Sequence, residues 1–395
     1  MTTADRTLRS LADLLAAGLI ADATAGDLAP VAARYAVAIT PVMVALVHAD
    51  DPTDPIARQF VPDARELTVT AEERADPIGD ADFSPVRGVV HRYRDRALLK
   101  VTGLCPVYCR FCFRREMVGP GGDHELSAAD LDAALAYLAG QADLFEVIVT
   151  GGDPLVLSPR RIADIAERLA ALPQVSVVRW HTRVPVVAPE RVTADLIRAL
   201  KTAGTAVYVA IHANHPRELT PDAAAALARL ADAGLVLVGQ TVLLRGVNDD
   251  PAVLAALMRA FVANRVKPYY LHHPDLAPGT GHFRLPIAEG QAIVGALRGA
   301  VSGLAQPTYV LDVPDGRGKV PIGPSHADIG ADLTTVTDLG GRPHRRADWS
   351  SHASSDCVAA VEEHRHVLGL GEEQPALDQH AGAGRGGRHQ RERGG

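Results

Sequence analysis

Three of the four cysteines lie close together in the segment LCPVYCRFCFRRE, and their spacing points most directly to chemistry. Cys105, Cys109 and Cys112 follow the pattern Cys-x3-Cys-x2-Cys. Three thiolates suit a [4Fe-4S] cluster in which one iron has no protein ligand. A small molecule can coordinate that iron and receive an electron from it. An electron-carrier cluster would normally use four cysteines.

A zinc ion is the alternative occupant of this segment. A structural zinc site needs four protein ligands, and His124 is the nearby residue that could complete one. Spacing alone leaves this alternative open. The fourth cysteine, Cys357, stands alone in a polar region, so the cysteines do not form a disulfide framework. The N-terminus lacks the pattern of an export signal, and we therefore expect a cytoplasmic metal site.

A glycine-rich turn, Gly151-Gly152-Asp153-Pro154, follows an apolar run of strand character. Two glycines allow the backbone to approach a ligand closely, and Asp153 could pair with an ammonium group. The alternative is an ordinary strand-to-helix turn in which the aspartate caps the helix.

Lysine is scarce, since only four of the 40 basic residues are lysine, and few residues can therefore do lysine chemistry. In the segment YVLDVPDGRGKVPIG (309–323), Lys319 is predicted to lie on a glycine-flanked loop beyond the last strand. A lysine that condenses with an aldehyde needs a close-approaching backbone, which Gly316 and Gly318 would supply. An exposed loop lysine is the alternative.

These residues need a scaffold, and the pattern from about residue 97 predicts repeated βα units with a parallel sheet. The predicted strands are 97–103, 145–152, 175–182, 206–213, 235–242 and 266–273, with a seventh run, 307–313, that could close or flank the sheet. The expected fold is α/β, a partial (β/α)6 parallel barrel. Functional residues of such barrels gather at the carboxyl ends of the strands, where Asp153, His212, Gln240, Asp275 and Asp312 fall.

We expect three regions along the chain. Residues 1–85 form a helical N-terminal leader, 86–335 the barrel with a cofactor-binding C-terminal segment, and 336–395 a disordered tail. The most apolar early window, 31–47, is too short to span a membrane and is interpreted as a core-facing helix. The net charge of -7 argues against a nucleic-acid partner. A small-molecule substrate is expected, with no membrane partner.

The Cys-x3-Cys-x2-Cys loop after the first strand is the hallmark of the radical S-adenosylmethionine superfamily, and within it the chain resembles the lysine 2,3-aminomutases. The segments that carry this second resemblance occur in the family's order between about residues 85 and 325: HRYRDRALLK, TGGDPL, RVPVVAPERVT, HANHPRELT, VLLRGVNDD, KPYYLHHPDL, HFRLP and DVPDGRGK. The resemblance implies a [4Fe-4S] cluster, S-adenosylmethionine and pyridoxal 5′-phosphate as cofactors. It implies interconversion of L-lysine and β-lysine through a 5′-deoxyadenosyl radical.

The resemblance also assigns individual residues. Lys319 would bind pyridoxal phosphate, with Arg92, Tyr93 and Arg96 about its phosphate; the Gly151, Gly152 and Asp153 turn would receive the methionyl amino group, with His212 and Gln240 also contacting S-adenosylmethionine. The last two could equally be core hydrogen-bonding residues. Arg114 matches the arginine that grips the substrate carboxylate, and Asp275 and Asp312 match the acids that receive its side-chain ammonium.

Two related activities stay open as alternatives. A glutamate 2,3-aminomutase should not keep both acids. The branch that acts on lysine for elongation factor P β-lysylation keeps the first acid but not the second, and shares the YYLH segment at 269–272. The longer aminomutases have additional cysteines, associated with a C-terminal zinc site, that have no counterpart here. A homo-oligomer is therefore left open, and an electron donor such as flavodoxin or ferredoxin is expected.

Overall fold

The computed structural model describes residues 6–120, 125–201, 204–330 and 333–346. Two compact units are present, Met1–Pro324 and Ser325–Gly395. Most of the segment predicted to be a disordered tail, with Cys357, lies outside the described residues, and so does His124. None of the described helices is long and apolar enough to cross a membrane.

A nine-stranded sheet forms the centre of the first unit, with its strands in sequence order from β1 to β9. β2 to β8 are parallel, whereas β1 pairs antiparallel with β2 and β9 antiparallel with β8. The predicted α/β fold with a partial parallel barrel is confirmed. The strands are β1 Val89–Tyr93, β2 Arg96–Thr102, β3 Glu146–Gly151, β4 Val177–Thr182, β5 Ala206–His212, β6 Val236–Val242, β7 Lys267–His272, β8 Thr308–Val313 and β9 Gly318–Pro321.

Amphipathic helices connect the parallel strands, and their starts are fixed by side-chain caps. Ser127, Ser158 and Thr220 each accept a hydrogen bond from an amide in the first turn of the following helix. Buried aliphatic residues of these helices and of the strands form one continuous core. The helices are α1 Leu11–Ala16, α2 Asp22–Arg34, α3 Pro41–Leu46, α4 Ala57–Phe60, α5 Ala128–Ala139, α6 Pro159–Ala170, α7 Val184–Val187, α8 Ala194–Leu200, α9 Pro221–Asp232, α10 Pro251–Ala263 and α11 Ile287–Leu297.

The segment that carries Lys319 differs from its prediction as a loop. A turn in which Asp315, Gly316 and Gly318 have positive φ reverses the chain after β8. The following residues form β9, where Lys319 lies opposite Asp312 in the antiparallel register. The loop prediction was wrong because the glycines serve the turn, while the residues after them complete an edge of the sheet.

The apolar window 31–47 is also not one helix. α2 ends at Arg34 and α3 begins at Pro41, and between them Ile39 forms a bridge with Leu8. Pro41 restricts the preceding residue, Thr40, to extended backbone, so one helix cannot continue through this position.

The second unit contains a small antiparallel sheet of β10 Ala327–Ile329, β11 Thr334–Thr337 and β12 Pro343–Arg346.

Candidate active site

A cavity of about 730 Å³ occupies the interior of the barrel. Its wall includes side chains from the carboxyl ends of the strands, but Glu146 and Val177, at the start of β3 and β4, line it as well. All of the site residues singled out in the sequence line this one cavity: Arg92, Tyr93, Arg96, Cys105, Cys109, Cys112, Arg114, Gly151, Gly152, Asp153, His212, Gln240, Asp275, Asp312 and Lys319.

The three cysteines lie on the loop that follows β2, residues 103–118, here called the cysteine loop. Backbone amides fix it to the N-terminal leader: Tyr108 donates to Ala38 and Arg110 to Gln59, at 3.1 and 2.8 Å. Arg110 and Arg115 of the loop both pair with Glu66, which is fully buried. The leader therefore holds the segment that carries the thiols.

The thiols have the chemistry that a cluster requires. Burial raises the pKa of Cys105 well above its ordinary value and that of Cys112 to about 11, so iron binding must displace their protons. Within the described ranges, no three Cys, His, Asp or Glu side chains converge as ligands of a single metal ion. Thiolates of a [4Fe-4S] cluster each bind a different iron, and three of them around one cavity fit that group.

The glycines after β3 are required by close packing. A Cβ atom on Gly151, whose φ is +120°, would lie 2.3 Å from the carbonyl oxygen of Thr102, and one on Gly152 would lie 2.4 Å from that of Leu104. Thr102 is the last residue of β2, and Leu104 lies at the start of the cysteine loop. The two glycines therefore let the turn lie directly against the segment before Cys105.

Asp153 caps the short 3-10 helix Pro154–Val156, as the alternative interpretation of this turn describes. Its carboxylate accepts hydrogen bonds from the Leu155 amide at 3.0 Å, and from the Thr182 hydroxyl and the Arg183 amide at 2.7 Å each. Burial raises its pKa despite these bonds. The side chain thus fixes β3 and β4 together, while the backbone of the turn faces the cavity.

His212 and Gln240 lie opposite each other in the β5–β6 register. Burial, and then the charge of Arg183, hold the pKa of His212 well below its ordinary value, so the imidazole is neutral. Its Nε2 lies 3.2 Å from Oδ1 of Asn214. A neutral histidine and an amide present hydrogen-bonding groups without net charge to this part of the cavity.

Lys319 and two acids meet at the end of the cavity formed by β7, β8 and β9. The Lys319 ammonium forms an ion pair with Asp312 and lies 3.3 Å from Nδ1 of His272. Its backbone amide donates to the Tyr93 hydroxyl at 2.7 Å. The register of β8 with β9 places the acid and the lysine side by side.

The two acids differ in protonation. Burial raises the pKa of Asp312, but His272 and Lys319 outweigh burial and bring the pKa below its ordinary value. Burial, and then the charge of Asp312, raise the pKa of Asp275 to about 7. Oδ1 of Asp275 is buried without a hydrogen-bond partner in the described part of the chain. An unpaired buried acceptor beside a carboxylate suits a cationic ligand.

Asp80, the acid to which Arg114 is bound, was not predicted from the sequence. Its carboxylate lies 3.1 Å from Arg114, 3.3 Å from Arg92 and 3.9 Å from Lys100. Burial raises the pKa of Asp80, but Arg114 and Lys100 outweigh burial and lower it. Asp80 comes from an irregular part of the leader, so no periodicity marked it. Three cations around one carboxylate leave a positive excess that a further anion can balance.

Aromatic and basic side chains near β1 form a second group that was only partly foreseen. The Arg96 guanidinium lies 3.6 Å from the centroid of the Tyr93 ring. Arg179, Tyr269 and Tyr270 also line this wall, with the two tyrosine rings 3.8 Å apart. Arg179 pairs with Glu146 at 3.0 Å. Tyr269 and Tyr270 belong to the YYLH segment that was singled out in the sequence, whereas no motif marked Arg179.

The sequence of this chain is similar to those of known proteins. The Radical SAM superfamily matches residues 99–258. The L-lysine 2,3-aminomutase of Fusobacterium nucleatum subsp. nucleatum is 40% identical over 289 residues, which are 73% of this chain and 68% of that protein. That of Clostridium subterminale is 41% identical over 73% and 69% of the two chains. The glutamate 2,3-aminomutase of Clostridioides difficile is 36% identical over 75% and 69%.

Proposed function

This chain belongs to the lysine 2,3-aminomutase family of radical S-adenosylmethionine enzymes, and we propose that it interconverts L-lysine and β-lysine. It is an isomerase that moves an amino group within its substrate. The observation that carries the proposal is the meeting of Lys319 with Asp275 and Asp312 in the cavity that the three cysteines also line.

The family implies three cofactors, and the residues present fit them. Cys105, Cys109 and Cys112 would hold the [4Fe-4S] cluster, and the backbone of Gly151 and Gly152 would lie beside S-adenosylmethionine. When bound, these groups would supply a carbon-centred radical, and pyridoxal phosphate would supply an aldehyde that condenses with amines.

Residues of β1, β2 and β9 fit pyridoxal phosphate. Lys319 lines the cavity together with Tyr93, and Arg96, whose guanidinium lies over that tyrosine, is a proposed partner for a phosphate dianion. Arg92, which pairs with Asp80, is the second proposed partner of the phosphate. His212 and Gln240 are the proposed neutral contacts of S-adenosylmethionine.

Charge supports lysine as the substrate. The primary ammonium of Lys319 lies against Asp312, so this carboxylate accepts a cation of the kind found at the end of a lysine side chain. The unpaired oxygen of Asp275 supplies a second acceptor. Arg114 is the proposed partner of the substrate carboxylate, and Asp80 fixes its orientation from the other side.

Glutamate is disfavoured by the same charges. A side-chain carboxylate directed at Asp275 and Asp312 would place three acids together in a buried site, which like-charge repulsion opposes. The second acid, Asp312, likewise supports action on free lysine over the branch that serves elongation factor P. We also propose a low-potential donor such as flavodoxin or ferredoxin, and a cytoplasmic location in which thiols stay reduced.

Turnover tests this proposal. Anaerobically reconstituted enzyme supplied with S-adenosylmethionine and pyridoxal phosphate should convert lysine and leave glutamate unchanged. Asp312→Ala should strongly lower kcat/KM for lysine, whereas Asp232→Ala, which removes an exposed acid paired with Arg265, should leave it unchanged. Full lysine turnover by Asp312→Ala would contradict the two-acid argument. Equal turnover of glutamate would contradict the substrate.

A further inference from the structure

Arg183 is a buried arginine in direct contact with a cluster cysteine. It follows β4, and its Nη1 donates to Sγ of Cys109 at 2.8 Å. The side chain is 6% exposed, and the rings of Phe60 and Phe111 lie 4.9 and 5.7 Å from its guanidinium. A guanidinium enclosed in this way is poorly screened by water, so its charge acts strongly on the sulfur.

A second set of contacts fixes the other side of the guanidinium. Nη2 of Arg183 donates to Glu218 at 2.5 Å and to Gln59 at 3.0 Å. Glu218 is fully buried, and its second oxygen accepts from the amides of Asn214 and His215 and from the Gln59 side chain, each at 2.9 Å. The acid therefore cannot move away from the arginine, and the arginine cannot move away from Cys109.

A purely structural ion pair is the alternative. Glu218 and Gln59 both accept from Nη2 of Arg183, and an ion pair of this kind needs no sulfur. Yet the Arg183 backbone amide is also held by Asp153, whose neighbours in the chain pack against the start of the cysteine loop. Main chain and side chain together direct one amino group at Cys109. Hydrogen bonds to cluster sulfurs and nearby charge set the reduction potential of such centres.

We propose that Arg183 is a positioning residue that holds Cys109 and raises the reduction potential of the cluster bound there, with Glu218 limiting the size of that effect. The inference rests on the cluster site of the proposed function and is independent of the substrate. A positive charge beside the sulfur stabilises the electron that the cluster accepts, and the carboxylate of Glu218 partly cancels that charge.

The test measures the reduced fraction of the cluster in reconstituted full-length protein without S-adenosylmethionine. Iron and sulfide are assayed first, and the reduced cluster is then counted by electron paramagnetic resonance at a fixed solution potential. Arg183→Gln should lower the ratio of reduced to oxidised cluster about tenfold, equivalent to about 59 mV for a one-electron couple. Glu218→Gln should raise the ratio. Arg183→Lys, which keeps the charge but not the fork, should fall between Arg183→Gln and the native protein.

Opposite changes in the ratio for Arg183→Gln and Glu218→Gln would distinguish an effect on the reduction potential from a purely structural role. Arg229→Gln is the matched control, because Arg229 binds the carbonyls of Val192 and Pro189 and is not among the residues around the cysteines. It should leave the ratio unchanged. Native ratios in both variants with full iron content, or shifts in the same direction, would overturn the inference. If Arg183→Gln does not fold, Glu218→Gln and Arg183→Lys decide. If the native protein binds a full cluster that is reduced as expected but does not convert lysine, the proposed function is contradicted and this inference is not.

Discussion

Protonation of Asp275 should control how well the enzyme captures lysine. Burial and the neighbouring Asp312 raise the pKa of Asp275 to about 7, so near neutral pH this acid changes from a neutral group to a carboxylate. The side-chain ammonium of lysine, with a pKa near ~10.4, stays charged throughout this range. Only the ionised acid attracts it. Capture of lysine should therefore improve as pH rises through about 7 and weaken below it.

The size of the effect follows from the titration. Each pH unit below the pKa removes about tenfold of the ionised form, or about 1.4 kcal/mol of binding. At pH 5.5 the value of kcat/KM for lysine should lie roughly 30-fold below its plateau, because this parameter reports groups of the free enzyme. Anaerobic initial rates at limiting lysine, measured between pH 5.5 and 8.5, give the profile.

Two substitutions test the assignment. Asp275→Asn should abolish the inflection and lower the plateau, since its amide neither titrates nor carries charge. Asp312→Asn removes the neighbouring charge that raises the pKa of Asp275, so its inflection should move to lower pH. Asp232→Asn, at an exposed ion pair, should keep the native profile. An inflection near pH 7 that survives in Asp275→Asn would refute the reasoning.

Three further substitutions address the cofactors and the fold. Lys319→Ala should remove both lysine turnover and the absorbance of lysine-bound pyridoxal phosphate, whereas Lys201→Ala, at another lysine, should keep both. Gly151→Ala should lower the free energy of unfolding in denaturant by about 2–4 kcal/mol, because a Cβ atom at this position meets the Thr102 carbonyl. The control, Gly26→Ala, places its Cβ atom in open space on α2 and should not destabilise the protein. Glu66→Ala should lower the free energy of unfolding by about 3–5 kcal/mol and lower the iron content on reconstitution, since two buried arginines of the cysteine loop lose their partner. A native thermal midpoint together with full iron content in that variant would contradict this prediction.

The parallel strands could be predicted because their signals are local. A run such as 206–213 is short, β-branched and bounded by helices with Ser or Thr caps, and β5 occupies Ala206–His212. The strand that contains Lys319 could not be predicted from such local signals. Its turn residues are visible in the sequence, but pairing with β8 depends on a neighbour that periodicity within so short a strand does not reveal.

The site residues divide in the same way. Those with a motif, such as the three cysteines and the Gly151-Gly152 turn, were predicted and line the cavity. Asp80, Arg179 and Arg183 were not, because each acts through a partner far away in the chain: Arg114, Glu146 and Cys109. An arginine that ends a strand looks the same in sequence whether it faces solvent or a buried sulfur.

The distribution of the site along the chain separates two tasks. The radical SAM match covers residues 99–258, which contain the cysteines, the glycine turn, His212 and Gln240. Asp80, Asp275, Asp312 and Lys319 lie outside it, on the N-terminal leader and on the chain from β7 to β9. Arg114 is the exception, and it is bound to Asp80 of the leader. We propose that the segment matched by the Radical SAM superfamily generates the radical, while the flanking segments supply the charges that select the substrate. Substitutions of Asp275 and Asp312 should therefore alter substrate choice without altering the cluster, whereas Glu66 of the leader also affects the cluster because it holds the cysteine loop.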